Sequence, residues 1–276
     1  MAAASHGAVV VGVGRSAEAL SVVRTAADEA AAHHRPLHLV HAFNWAATGG
    51  PAPAGGTRID AENVLERAGR IVADAAPEVP VSGEIVEGSP VEALLRAADA
   101  AFLVALGDGG MATCPACVPG DAPAVELAAR AGCPVLVGRS EPAPPGPLLV
   151  GYDGSPGSHT TLGYAFDCAE RRGARLLAVR VVEPERRDGD DGVLEEAVNR
   201  HAARHPRVAA ACQTVRGDPR TVLLDRSRSA QLAVVGARGD GPVQSSLGEV
   251  SQSLLYHSPA PLIVVRGVDP GTGEGS

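Results

Sequence analysis

The sequence predicts an α/β protein built from two tandem, doubly wound (Rossmann-like) domains, each a five-stranded parallel sheet. Three observations predict it. Four sequence anchors recur in the same order along the 276 residues, short apolar runs alternate with amphipathic stretches within each copy, and a proline-rich joint separates the copies. A repeat at this period must be found first, because it divides the fold into units.

The anchors are short but ordered. Val9–Val13 matches Leu148–Tyr152, and Val86-Glu-Gly-Ser-Pro90 matches Val215-Arg-Gly-Asp-Pro219. Leu103–Gly107 with Gly110 matches Ala233–Gly236 with Gly239, at the same offset of 129 residues as the preceding pair. Cys133-Pro-Val-Leu-Val137 and Ala260-Pro-Leu-Ile-Val264 sit near that offset. Between the copies, Glu141-Pro-Ala-Pro-Pro-Gly-Pro147 cannot be helical and reads as a stiff linker. The expected domains are 1–140 and 146–270.

The elements run in order along the chain. Apolar runs at 8–13, 37–43, 81–87, 101–107 and 134–138 are the expected strands of the first copy. Those at 147–152, 175–182, 208–215, 231–236 and 261–266 are the strands of the second. Most are continuous Val, Leu and Ala, the pattern of strands covered on both faces of a parallel sheet. Helical stretches fall between them, at 16–33, 58–76 and 90–98, then at 157–172 and 218–228. Strands alternating with crossover helices give a three-layer doubly wound fold. Such a fold binds ligands at the carboxyl ends of its strands, where strand order reverses.

Composition narrows the chemistry. Aromatic residues make up only 3%, so Val, Leu and Ala must form the core. The net charge is −8 with no basic stripe, which argues against a nucleic-acid surface. All 24 basic residues are Arg, which excludes lysine chemistry, including a P-loop lysine. With its abundance of Ala, Gly and Pro, the chain has the composition of GC-rich coding, as in actinobacteria. No apolar run reaches membrane-spanning length and no signal peptide is evident, so no membrane partner and a cytoplasmic location are expected. Five scattered cysteines are no disulfide framework. Cys114-Pro-Ala-Cys117 has zinc or redox spacing, but no second close pair completes a tetrahedral set, and incidental loop cysteines are the simpler reading. No metal site is expected. His33, His34, His38 and His41 cluster near one strand–helix junction and read as structural or surface histidines. Ser245-Ser246 reads as ordinary loop serine, with phosphorylation as the alternative.

The polar signals lie after the first and fourth strands of each copy. In copy two, Gly151-Tyr-Asp153-Gly-Ser155-Pro156 puts a carboxylate at a strand end, either to accept from a ligand N–H or to form a turn and N-cap. After the fourth strand come Gly236-Ala-Arg238-Gly239, eight residues, and Gly248-Glu-Val250-Ser251. Glycines allow close backbone approach to phosphates, and a succeeding helix offers unpaired N–H groups.

On these motifs, copy two resembles a universal stress protein domain of the adenine-nucleotide α-hydrolase-like superfamily, over essentially its whole length. The matching pieces are Val150–Ser155, Arg216–Pro219, Leu232–Gly239, Leu247–His257 and Pro261–Arg266. Copy one is a more degraded relative, with Leu39–Phe43 and Glu87–Pro90 also family-like. The resemblance implies a non-catalytic stress-response or signalling module that binds ATP or another adenine nucleotide, with Mg²⁺ only alongside the nucleotide. It points to Asp153, Val181, Gly236, Arg238, Gly239, Gly248, Val250 and Ser251 as the ligand contacts. The two domains are expected to pair within the chain, and a homodimer is a further expectation. The rival readings are a structural member with both clefts defunct, and a slow ATPase, which the lack of a nucleophile–base pair disfavours.

Both copies depart from the family pattern of Gly, two residues, Gly, nine residues, Gly, then Ser or Thr. Copy two has eight residues in the long gap, and Glu249 replaces the Ser/Thr. Copy one keeps nine but has Asp121 at the Ser/Thr place and Gly14 at the Asp place. Each acid either fills the anion position itself or is an exposed first-turn residue.

Overall fold

A computed structural model describes residues 6–43, 58–109, 123–183, 192–237 and 247–266. The chain divides into two compact units, Met1–Pro142 with Leu255–Pro261, and Ala143–Leu254 with Leu262–Ser276.

In the first unit, β1 (Val9–Gly12), β2 (Leu37–Phe43), β3 (Val81–Glu87), β4 (Leu103–Gly107) and β5 (Val135–Gly138) all pair in parallel, in the order β3-β2-β1-β4-β5. The helices are α1 (Ala17–Ala32), α2 (Arg58–Ala75), α3 (Pro90–Ala98) and α4 (Pro123–Arg130). Ser16 caps α1 by accepting from Ala19 N at 3.1 Å, and Pro90 opens α3 where its missing N–H costs nothing. Helices α1 and α2 pack together, as do α3 and α4, and the crossovers place the two pairs on opposite faces. Val9, Val10 and Val11 are fully buried, as a strand covered on both sides must be.

The second unit repeats this plan. Its strands β6 (Leu148–Gly151), β7 (Leu176–Val182), β8 (Ala210–Arg216), β9 (Leu232–Gly236) and β10 (Leu262–Val265) pair in parallel in the order β8-β7-β6-β9-β10. The helices are α5 (Pro156–Arg172), α6 (Val193–Ala202), α7 (Pro219–Ser227) and the start of α8 (Glu249–His257), whose residues from Leu255 on are counted with the first unit. Helix α5 ends on Gly173, whose φ of 59° is the left-handed conformation that closes helices. The end of the proline-rich joint is fastened to this unit. Gln231 Nε2 donates to Gly146 O at 2.6 Å, Gln231 N donates to Pro147 O at 3.1 Å, and a Cβ at Gly146 would run into the Ser229 carbonyl.

All ten expected strands form, each within two residues of the ends read from the sequence. In each unit the order reverses at the first strand, between β1 and β4 and between β6 and β9. These are the two switch points at which a doubly wound sheet opens a crevice.

Candidate functional site

The second unit assembles most of the expected contacts at its switch point. Strands β6 and β9 are direct neighbours, with Val150 opposite Val234, so the segments leaving their carboxyl ends start side by side. After β6 the chain turns sharply. Gly154 takes a φ of 88°, and Asp153 Oδ1 accepts from both Ser155 N at 2.9 Å and Ser155 Oγ at 2.6 Å. Ser155 Oγ in turn accepts from Ser158 N at 3.2 Å and caps α5. Asp153 forms the turn that the sequence allowed. One oxygen holds the turn, while Oδ2 has no hydrogen-bond partner among the described residues and the side chain is exposed.

Val181 is the penultimate residue of β7, half-buried and opposite Val215. Strand β7 is the other neighbour of β6, and Tyr152 N donates to Val179 O at 2.9 Å, so Val181 flanks the same strand end. Gly236 ends β9. Gly248 N donates to Ala237 O at 2.9 Å, and Gln252 N donates to Gly248 O at 2.9 Å. Gly248, just before α8, thus lies beside Ala237, just after β9. Arg238 and Gly239 lie outside the described residues, as do Gly110, Gly120, Asp121, Cys114, Cys117 and Ser245-Ser246.

Ser251 and Glu249 have roles that the sequence did not specify. Ser251 is buried, and its Oγ donates to Gly236 O at 2.5 Å, latching the first turn of α8 to the end of β9. Val250 is half-buried beside it. The Glu249 side chain is 83% exposed, and its Oε2 lies 3.4 Å from Arg220 Nη1. The carboxylate is an exposed first-turn residue with its own counter-cation.

The first unit shows a different arrangement at the equivalent place. A Cβ on Gly14 would lie 2.8 Å from Ala19 Cβ, so the position that carries Asp153 in the second unit has no room for a side chain. After β4, Asp108 is buried and pairs with Arg139 after β5, Oδ2 to Nη1 at 3.1 Å. Burial pushes the Arg139 guanidinium below its ordinary value and Asp108 opposes that shift, the balance expected of a charge held inside by its partner. The second unit has Ala237 and Arg266 at the matching places.

His33, His38 and His41 of the first unit are buried and held structurally, two of them meeting carboxylates, while His34 is exposed. His33 Nε2 lies 3.3 Å from Glu29, His38 bridges Ser82 at 2.8 Å and Glu84 at 3.3 Å, and the His41 ring lies 2.8 Å from Val13 O. The described cysteines are not disulfide-bonded, and burial pushes the Cys133 thiol up to about 12, which keeps it protonated. Among the described residues, no helix is long and apolar enough to cross a membrane.

A parallel 3-2-1-4-5 sheet, occurring twice, with an Asx turn after its first strand and a glycine-bounded segment after its fourth, narrows the family. The profile of the Universal stress protein family matches residues 6–139 and again residues 146–266. The chain belongs to the universal stress protein family. It is 34% identical over 288 residues to universal stress protein Rv2005c of Mycobacterium tuberculosis, covering 95% of this chain and 97% of that one. A universal stress protein of Mycolicibacterium smegmatis is 32% identical over 285 residues, covering 94% and 96%. The fold is that of a universal stress protein from Archaeoglobus fulgidus, with a TM-score of 0.69 at 18% identity, covering 94% of this chain and 96% of that one. This universal stress protein is thus similar to tandem relatives along its whole length, in keeping with the actinobacterial character of its composition.

Proposed function

We propose that this universal stress protein is a non-catalytic, cytoplasmic stress-response or signalling module, and that its second domain, 146–270, binds ATP or another adenine nucleotide weakly. The observation that carries this reading is Asp153. Its Oδ1 is fixed by the Ser155 turn, while Oδ2 remains as an acceptor at the mouth of the β6–β9 crevice, suited to an exocyclic amine. Val181 flanks the base on one side. Gly236, Arg238, Gly239, Gly248 and Val250 surround the ribose and phosphates on the other, and Ser251 holds that wall in place. Mg²⁺ enters only with the nucleotide.

Glu249 and the shortened loop favour a second reading, in which both clefts are defunct and the domains act as structural surfaces. Calorimetric titration with adenosine, AMP, ADP and ATP, with and without Mg²⁺, separates the two. Adenosine binding that disappears in the Asp153→Asn protein supports the first reading, and no heat from any of the four ligands supports the second.

A further inference from the structure

Arg220 lies between the two groups of residues assigned to the cleft, although it belongs to neither. Gly217 N donates to Val182 O at 3.0 Å, which ties the start of α7 to the residue after Val181. From there Arg220 reaches Glu249, the residue after Gly248, with Nη1 3.4 Å from Oε2. Its backbone and Nε both face Asp218 Oδ1, at 3.0 and 3.4 Å. Nη2 has no hydrogen-bond partner among the described residues. Among the described residues, the guanidinium is therefore steadied at Nε, loosely engaged at Nη1 and unused at Nη2.

We propose that Arg220 is the phosphate-recognising cation of the second domain and that Glu249 is its internal competitor. The inference rests on the nucleotide reading above and deepens it by naming the group that senses phosphate. The side chains of the pair are 52% and 83% exposed, so their attraction is screened and readily exchanged. A phosphate offers a guanidinium two parallel charge-assisted hydrogen bonds, which a carboxylate held at one nitrogen does not. When phosphate arrives it takes Nη1 and Nη2, and Glu249 is released into solvent. The site then discriminates ligands by phosphate charge, with the threshold set by Glu249.

The test uses the full chain and four proteins: wild type, Arg220→Gln, Glu249→Gln and the double variant. Each is titrated calorimetrically with adenosine, Mg-ATP and inorganic tripolyphosphate. Both positions are exposed, and a circular dichroism melt checks that every variant is folded. Arg220→Gln is expected to weaken ATP and tripolyphosphate by about tenfold or more, the worth of a charge-assisted hydrogen bond, and adenosine by less than about twofold. Glu249→Gln is expected to strengthen both phosphates about threefold when Arg220 is present and distinctly less when it is absent. The proposal is overturned if Arg220→Gln leaves ATP and tripolyphosphate unchanged, or weakens adenosine as much as ATP. It is equally overturned if Glu249→Gln gives the same gain in both backgrounds, or if the wild-type chain binds neither phosphate ligand. Tripolyphosphate binding that depends on Arg220 without any adenosine binding would retire the adenine reading and leave this one standing. Adenosine binding with Arg220-independent ATP would do the reverse.

Discussion

The Ser251 hydroxyl donates to the Gly236 carbonyl across 2.5 Å, joining the first turn of α8 to the last residue of β9. A second bond, Gly248 N to Ala237 O at 2.9 Å, joins the residues next to these two ends. The hydroxyl is inside the protein and already committed to that first bond. Ser251→Ala should cost about 1–2 kcal/mol of unfolding free energy in urea titrations, the usual worth of a buried hydrogen bond. It should weaken adenosine and ATP by the same factor. A loss confined to ATP would show that the hydroxyl turns outward to touch phosphate.

Asp153 commits one oxygen to the fold, the nucleotide reading proposed above gives the other to the ligand, and two substitutions can separate these roles. Asp153→Asn keeps an oxygen for the Ser155 turn and places an NH₂ where the outward acceptor was. Asp153→Ala removes both. Stability should fall by about 1 kcal/mol for Ala and by much less for Asn, as expected for a lost turn and cap. Affinity for adenine nucleotides should fall about tenfold or more in both, since a donor replaces the acceptor or nothing does. An Asn variant with unchanged affinity would place the ligand elsewhere.

Strands β1, β4, β5, β6, β9 and β10 were legible because burial leaves few residue types in them besides Val, Leu, Ile, Ala and Gly. The turn at Asp153-Gly154-Ser155 was legible for a local reason: its hydrogen bonds join residues two and three positions apart. Helix α6 was harder to see, because it starts at Gly192 with no side-chain cap. The ion pairs were hidden because their partners are far apart in sequence. Asp108 and Arg139 are 31 residues apart, and Arg220 and Glu249 are 29 apart. A signal for the first pair was present all the same: a single charge directly after each of two fully apolar strands, where only a partner makes burial tolerable.

That buried pair sets a third expectation. Arg139 and Asp108 side chains are 3% and 4% exposed, so removing the carboxylate leaves a cation inside the first unit. Asp108→Ala should destabilise this unit by about 3 kcal/mol or more, the range found when one member of a buried pair is deleted. Thermal unfolding measured by calorimetry should show it. A change within about 0.5 kcal/mol, the size of a surface substitution, would mean that water reaches Arg139.

Two groups of the second unit give stability a defined dependence on pH. Burial holds the His201 imidazole below its ordinary value, with Arg204, His205, His159 and Arg200 adding to the shift, and its ring stacks on Phe166 at 5.5 Å. The folded protein then binds fewer protons than the unfolded chain, so stability falls as pH drops from the ordinary imidazole range through the lowered value. Glu170 is held below the ordinary carboxylate range, first by its hydrogen bond with His205 and then by Arg207, and adds a second loss at more acid pH. Denaturant midpoints measured from about pH 7.5 to about pH 2.5 should decline in two stages. His201→Gln should flatten the upper stage and leave the lower one, and an unaltered upper stage would assign that titration to another group.

The two crevices should not be interchangeable, and the reason is steric before it is electrostatic. At Gly14, any side chain starts 2.8 Å from Ala19 Cβ, an atom at the root of α1 that no rotamer can move. Restoring the family carboxylate with Gly14→Asp should therefore displace the start of α1 and cost about 1–3 kcal/mol, as overpacking does. It should not create a second binding event. The double change Gly14→Asp with Ala19→Gly removes the obstructing atom and should recover the overpacking loss, less about 1 kcal/mol for a glycine inside a helix. Nucleotide stoichiometry by calorimetry should remain at one per chain in the wild type and in Gly14→Asp. Asp153→Ala in the same chain should abolish it. Two wild-type sites, or one that survives Asp153→Ala, would move the nucleotide to the first unit and retire the assignment made from Asp153.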